Sequence, residues 1–238
     1  MPAATAARPA AAPNLGLRVN FESEIPVQQT IPGTRRTAVT GVLRFSFGTM
    51  GSGKSTQALQ IHYNLTHGGL NGVLCSMLDR KGDRVSSRLG ISAEAIRIDA
   101  EVDMREIVRS ADKPLDYMVC DEVQFYTPAQ IEQLAMVVDR YGLDVFAFGL
   151  LTDFRGKLFE GTARLLELAD ECEAIQCEAR CWCGDRATHN ARIVDGVQVY
   201  EGEIVVVDDP SAAPNVSYQL RCRKHWTSGE GPAEISLT

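Results

Sequence analysis

The stretch Gly48-Thr49-Met50-Gly51-Ser52-Gly53-Lys54-Ser55-Thr56 holds the residue types that grip a polyphosphate. It matches the spacing G-x-x-x-x-G-K-[ST]. Glycines let backbone N–H groups converge on phosphate oxygens, and a following helix N-terminus adds favourable partial charge. Lys54 supplies a mobile cation, and the Ser55 hydroxyl can ligate Mg²⁺. A second carboxylate-bearing position, Asp121-Glu122, ends an apolar run. At the C-terminal end of a parallel strand, Asp121 could hold Mg²⁺ through water and Glu122 could act as a base. Two solvated acids at a strand end is the bland alternative. Near the C-terminus lies a third group, Cys177, Cys181 and Cys183, followed later by Cys222 and His225. Sulfur and imidazole donors in such numbers are what a structural zinc ion takes, although reduced surface thiols would look the same.

These groups need elements to carry them. The runs VLRFSF (42–47), NGVLCSML (71–78), LDYMVC (115–120) and LDVFAFGL (143–150) are almost continuously apolar. That pattern predicts strands buried on both faces of a parallel sheet. Between them, STQALQIHYNLTHGG places Ala58, Ile61 and Leu65 on one helical face, with Gly68 to cap it. TPAQIEQLAMVVDRYG carries Thr127 as N-cap, Pro128 at the first helical position and Gly142 at the stop. Such a βαβ chain builds an α/β, doubly wound parallel sheet around the phosphate loop. The texture changes near residue 150, where glycines and two phenylalanines interrupt the pattern. The cysteines and β-rich segments (VQVYEGEIVVVDD, SYQLRC) follow. The expected layout is a disordered tail over 1–40, the nucleotide-binding domain over 41–171, a small β-rich metal-binding domain over 172–226 and a flexible tail over 227–238.

Composition narrows the function. With 238 residues, 45% of them hydrophobic, the chain can bury a sizeable core. The net charge of −7 argues against nucleic acid. No run of apolar residues is long enough for a membrane span. The start, rich in Ala and Pro, lacks the apolar centre of a secretory signal. It reads as disorder or as a start codon placed too early. A transit peptide is the alternative, with only Arg8 and Arg18 basic in that region. Seven cysteines, an odd number, favour reduced thiols and a cytoplasmic location. Cys75 and Cys120, each near the end of an apolar run, are expected to be buried.

GTMGSGKST, DEVQF (121–125), GLLTDFRGKLFEGTARLLELAD (149–170), CWCG and YQLRCRKH occur in one order over residues 43–226. In this the chain resembles the type II (bacterial-type) thymidine kinases. The resemblance implies ATP and Mg²⁺ on the loop 48–56, with Asp121 and Gln124 beside the nucleotide. It makes Glu122 the base that takes the proton from the thymidine 5′-hydroxyl. It assigns Phe154 and Phe159 to the lasso that closes over the base, and adds Met50, Phe125, Leu150, Asn190 and Tyr218 to the nucleoside pocket. It implies a structural Zn²⁺ and a homotetramer. The family's ligand pattern is usually Cys-x-x-Cys before a glycine. Here Arg180 stands where the partner of Cys183 would be, so the expected ligands are Cys181, Cys183, Cys222 and His225, with Cys177 in reserve. The family's Asp-x-Arg motif could fall on Asp79, Arg80, Asp83 or Arg84. His62, His67 and His189 lack ligand spacing.

A competing reading is an ATPase or GTPase whose zinc module binds nucleic acid, with Glu122 polarising water. Residues 172–226 carry more Asp and Glu than Lys and Arg, and no Asn-Lys-x-Asp motif for guanine occurs. Both facts favour the nucleoside kinase. A non-catalytic nucleotide-binding regulator would not need Lys54, Ser55, Asp121 and Glu122 together.

Overall fold

Alternation along one strand explains the architecture. In β6 (Tyr117–Asp121) every residue is buried. Met118 and Cys120 join one apolar cluster, whereas Tyr117 and Val119 join another. Successive side chains of a strand point to opposite faces, so this strand lies between two layers. The computed structural model describes residues 41–77, 84–86, 90–175, 178–204 and 215–232. The expected N-terminal tail, the end of the C-terminal tail, and Cys177, Asp79, Arg80 and Asp83 lie outside the described residues.

The central sheet has six parallel strands in the order β5-β2-β6-β7-β1-β8. They are β1 (Leu43–Phe47), β2 (Gly72–Ser76), β5 (Ile96–Arg97), β6, β7 (Asp144–Gly149) and β8 (Glu171–Ala174). The four strands expected from apolar runs are all present. β5 and β8 are short edge strands without such runs, exposed at Ile96 and along β8. Because the sheet continues through Ala174, the boundary expected at 172 falls inside β8. Strands β3 (Arg84–Ser86) and β4 (Ser92–Glu94) form a separate antiparallel pair.

Helix α1 (Lys54–His67) covers one face through Ala58 and Leu59, with Ile61 and Leu65 packed beside them. On the other face lie α2 (Met104–Arg109), α3 (Pro128–Tyr141) and α4 (Glu160–Leu168). Helix α3 begins as its sequence dictates. The Thr127 hydroxyl accepts from the Gln130 N–H while the Gln130 side chain accepts from the Thr127 N–H, and Gly142 closes the other end in the left-handed region. Ile131, Leu134 and Val137 are fully buried, each burial contributing about 1.5–3 kcal/mol. Gly68 caps the end of α1 as expected, and the next residue, Gly69, takes the left-handed conformation.

After β8 the chain forms a second, antiparallel sheet, β10-β9-β11, from β9 (His189–Val194), β10 (Val197–Val199) and β11 (Val216–Arg221). A short helix, α5 (Arg223–Ser228), follows. It includes two residues of the expected flexible tail. No helix among the described residues is long and apolar enough to cross a membrane.

Candidate active site

All six strands of the main sheet run in the same direction, so their C-terminal ends form one edge. The loop 48–53 leaves β1 there, Leu150 follows β7, and Asp121 closes β6 with Glu122 to Phe125 turning away from it. This is the crevice where open α/β sheets bind ligands.

The loop's geometry follows from its glycines. Gly51 and Gly53 have φ of 72° and 87°, a region that L side chains enter only with strain, and Gly53 turns the chain directly into α1. Lys54 is buried, and its ammonium donates to the Thr49 carbonyl at 2.8 Å and the Gly48 carbonyl at 3.3 Å. It therefore lies over the loop it follows. Next to it, the Ser55 hydroxyl faces the Asp121 carboxylate and favours its charged form. That pair joins the start of α1 to the end of β6. It offers the hydroxyl and carboxylate oxygens that an octahedral Mg²⁺ accepts.

Asp121 is 2% exposed. Burial pushes its carboxyl up to about 6, the Glu122 charge adds to the rise, and Ser55, the Glu122 N–H and Lys54 oppose it. Glu122 sits at φ 55°, the left-handed region, where a non-glycine residue is strained. The strain turns its side chain out of the strand's alternation. Its carboxylate is then held by Gln124, whose Nε2 donates to Glu122 Oε2 at 2.5 Å. Gln124 is itself buried, and its Oε1 accepts from the Leu150 N–H at 3.0 Å. One carboxamide thus ties the carboxylate after β6 to the backbone after β7.

The expected nucleoside-pocket residues form two aromatic groups and one bridge. Phe125 meets Phe159 edge-on with centroids 5.5 Å apart, close to Glu122 in the chain. Phe154 is buried beneath the Arg192 guanidinium, 3.8 Å from its ring centroid. Arg192 also donates to the Tyr218 hydroxyl at 2.7 and 3.0 Å. Asn190 is the bridge. Its Oδ1 accepts from the Met50 N–H at 2.9 Å, fastening the phosphate loop to β9. The Leu150 carbonyl accepts from the Thr162 hydroxyl at 2.7 Å. A cleft of about 300 Å³ opens beside the loop, lined by Thr49, Ser52, Leu151, Ile175, Arg186 and Asn190 among others.

Cys181, Cys183, Cys222 and His225 bring their donor atoms within 4.8 Å of one another. Cys183 and Cys222 sulfurs are 3.9 Å apart, and His225 Nδ1 lies 3.5 Å from Cys181 Sγ and 3.4 Å from Cys222 Sγ. A tetrahedral ion with metal–sulfur bonds of about 2.3 Å sets its ligand atoms roughly 3.5–3.8 Å apart. The donor set matches zinc in number, chemistry and spacing. The hairpin makes this possible: the Cys181 N–H donates to Asp185 O, the Gly184 N–H returns to Cys181 O, and the ring of Trp182 stacks on His225 at 4.1 Å. Without a cation the thiols compete for charge. Burial raises Cys181, but neighbouring N–H groups and His225 outweigh it and bring the thiol down to about 6. Cys183 is favoured as thiolate by the Asp185 N–H, yet burial and its fellow cysteines drive it up to about 11. A divalent ion would let all the thiols ionise. Nearby, Arg221 is 2% exposed and bonds Gln198, Gln219 and the His225 carbonyl. It has no carboxylate partner among the described residues. Three thiolates and one neutral imidazole around Zn²⁺ would carry a net charge of −1, which this buried guanidinium would offset.

Several of these residues escaped the sequence reading: Arg192, Thr162 and Arg221. Arg192 had a signal, because it stands two positions after Asn190 in β9 and so shares its face. Thr162 and Arg221 act through contacts to Leu150 and Gln198, which spacing does not announce.

The family model described as thymidine kinase matches residues 41–226. A thymidine kinase of Streptomyces avermitilis is 52% identical over 188 residues, covering 77% of this chain and 87% of that one. One from Cutibacterium acnes is 45% identical over 191 residues (79% and 88%). One from Lactococcus lactis is 39% identical over 192 residues (79% and 98%).

Proposed function

The chain belongs to the thymidine kinase family, and we propose that it transfers the γ-phosphoryl group of ATP·Mg²⁺ to the 5′-hydroxyl of thymidine, with Glu122 as general base. The observation that carries this reading is the short path from phosphate loop to carboxylate. Lys54 lies on the loop, Ser55 faces Asp121, and Asp121 is followed by a Glu122 carboxylate held by Gln124. Loop N–H groups and Lys54 would bind the donor's phosphates, and Ser55 with Asp121 would hold the Mg²⁺ that neutralises the developing charge. Glu122 would accept the proton that the attacking hydroxyl sheds. Phe125, Phe159, Phe154 and Tyr218, with Met50, Leu150 and Asn190, would bound the nucleoside. Zn²⁺ on Cys181, Cys183, Cys222 and His225 would act structurally, since its four ligands leave no open position. The homotetramer belongs to the same proposal, and light scattering on the purified protein would test it.

Glu122→Gln keeps the shape and removes the base. The proposal expects dTMP formation to fall by two or more orders of magnitude while nucleotide affinity stays near wild type. Wild-type turnover in a regime where chemistry limits the rate would defeat the assignment.

A further inference from the structure

Trp226 directly follows the metal-ligand candidate His225 in α5, and its contacts reach far from that helix. The indole Nε1–H donates to the Phe154 carbonyl at 3.1 Å, across 72 positions of sequence. Its ring lies on Gly156: a Cβ there would come within 2.6 Å of the indole, and the glycine's φ of 76° already excludes most side chains. One face stacks on His189 of β9 at 4.7 Å, and Tyr200 meets it edge-on. The Trp226 carbonyl accepts from Tyr200 Oη at 2.6 Å and Gln198 Nε2 at 2.9 Å. Apart from the Arg192 guanidinium over the Phe154 ring, the loop 152–158 is otherwise closed largely upon itself. Asp153 N–H donates to Lys157 O, Gly156 N–H to Asp153 O, and the Asp153 carboxylate accepts from the Arg155 and Lys157 N–H groups.

From this arrangement we propose that Trp226 is a positioning residue, a strut through which the metal-holding module sets the loop that presents Phe154 to the nucleoside. The proposal rests on Phe154 lining the nucleoside pocket. A helix as short as α5 cannot persist by itself. It is anchored at its start by Cys222 and His225, so metal at those ligands fixes the place of Trp226. Trp226 in turn fixes the backbone of Phe154 and Gly156. Removing zinc would release the strut and loosen the loop, without touching the residues that hold ATP through this contact.

Two readouts separate the strut from the nucleoside assignment. The first is hydrogen exchange at the Asp153 and Gly156 amides in zinc-loaded protein without substrate. Chelating the zinc should speed both amides in the wild type. In Trp226→Ala they should be fast already, and chelation should add little, with one zinc per chain retained before chelation. The second is steady-state kinetics: loss of the hydrogen bond and ring contact should raise KM for thymidine roughly tenfold, with KM for ATP nearly unchanged. Trp226→Phe, which keeps a ring and loses only the donor, should recover part of the loss; it also decides the matter if Trp226→Ala fails to hold zinc. Wild-type exchange at both amides in these variants would overturn the strut. Faster exchange with an unchanged thymidine KM would sustain it and overturn the placing of the base against Phe154.

Discussion

Glu122 and Asp121 are neighbours with opposite needs. Glu122 is turned by a left-handed backbone toward Gln124, whereas Asp121 stays in the strand and is buried to 2% exposure. A carboxyl raised by burial from 3.8 to about 6 prefers to be protonated in the fold. The native state is therefore favoured below the ordinary carboxylate value and loses up to about 3 kcal/mol as pH rises through 6. The penalty is what a bound cation would offset. Asp121→Asn removes it, so in ligand-free protein the variant should gain stability over wild type at pH 8 and much less at pH 4. Chemical denaturation at the two pH values measures this. An identical difference at both would show that the buried charge carries no such cost. The same variant should be nearly inactive, because the carboxamide cannot replace the carboxylate beside Ser55.

At the scale of elements, α3 shows how much local chemistry decides. Thr127, Pro128 and Gly142 were enough to set its bounds, and the capping box with Gln130 completes the start. Thr127→Ala should cost about 1 kcal/mol of stability, read from the denaturation midpoint, and leave turnover intact; no change would mean that Gln130 caps the helix alone. Strands β1, β2, β6 and β7 were equally legible, since burial on both faces favours nearly continuous apolar runs. The edges were not. β8 reads Glu-Cys-Glu-Ala and is exposed, and its place is set by pairing with β1 rather than by hydrophobic pattern. Helix α4 hid within a stretch broken by glycines and phenylalanines, because Gly161 gives close packing on the turn after Glu122 instead of a helical breakpoint. Of the site, the motif residues could be read because phosphate and metal chemistry restrict type and spacing. Arg221 and Trp226 could not, because their partners are brought in by tertiary contact.

For the molecule as a whole, a parallel sheet supplies the catalytic edge and a small antiparallel module is fastened to it by Asn190, Arg192 and Trp226. Such a module has little core of its own, and a metal ion on the Cys/His cluster would contribute the missing stability. Purified protein should contain one zinc per chain. Cys183→Ser or Cys222→Ser should lose it, since an alcohol is a poor substitute for a thiolate, and Cys172→Ser should keep it because Cys172 lies in β8 outside the cluster. Metal analysis of reduced, chelator-free protein checks all three, and zinc retained in both ligand variants would refute the set. The proposed transfer from ATP to thymidine is tested by ADP release from ATP·Mg²⁺ with each nucleoside supplied in turn. It predicts ADP release that depends on thymidine and matches dTMP one for one. ATP hydrolysis at the same rate with no nucleoside present, and no dTMP, would contradict it.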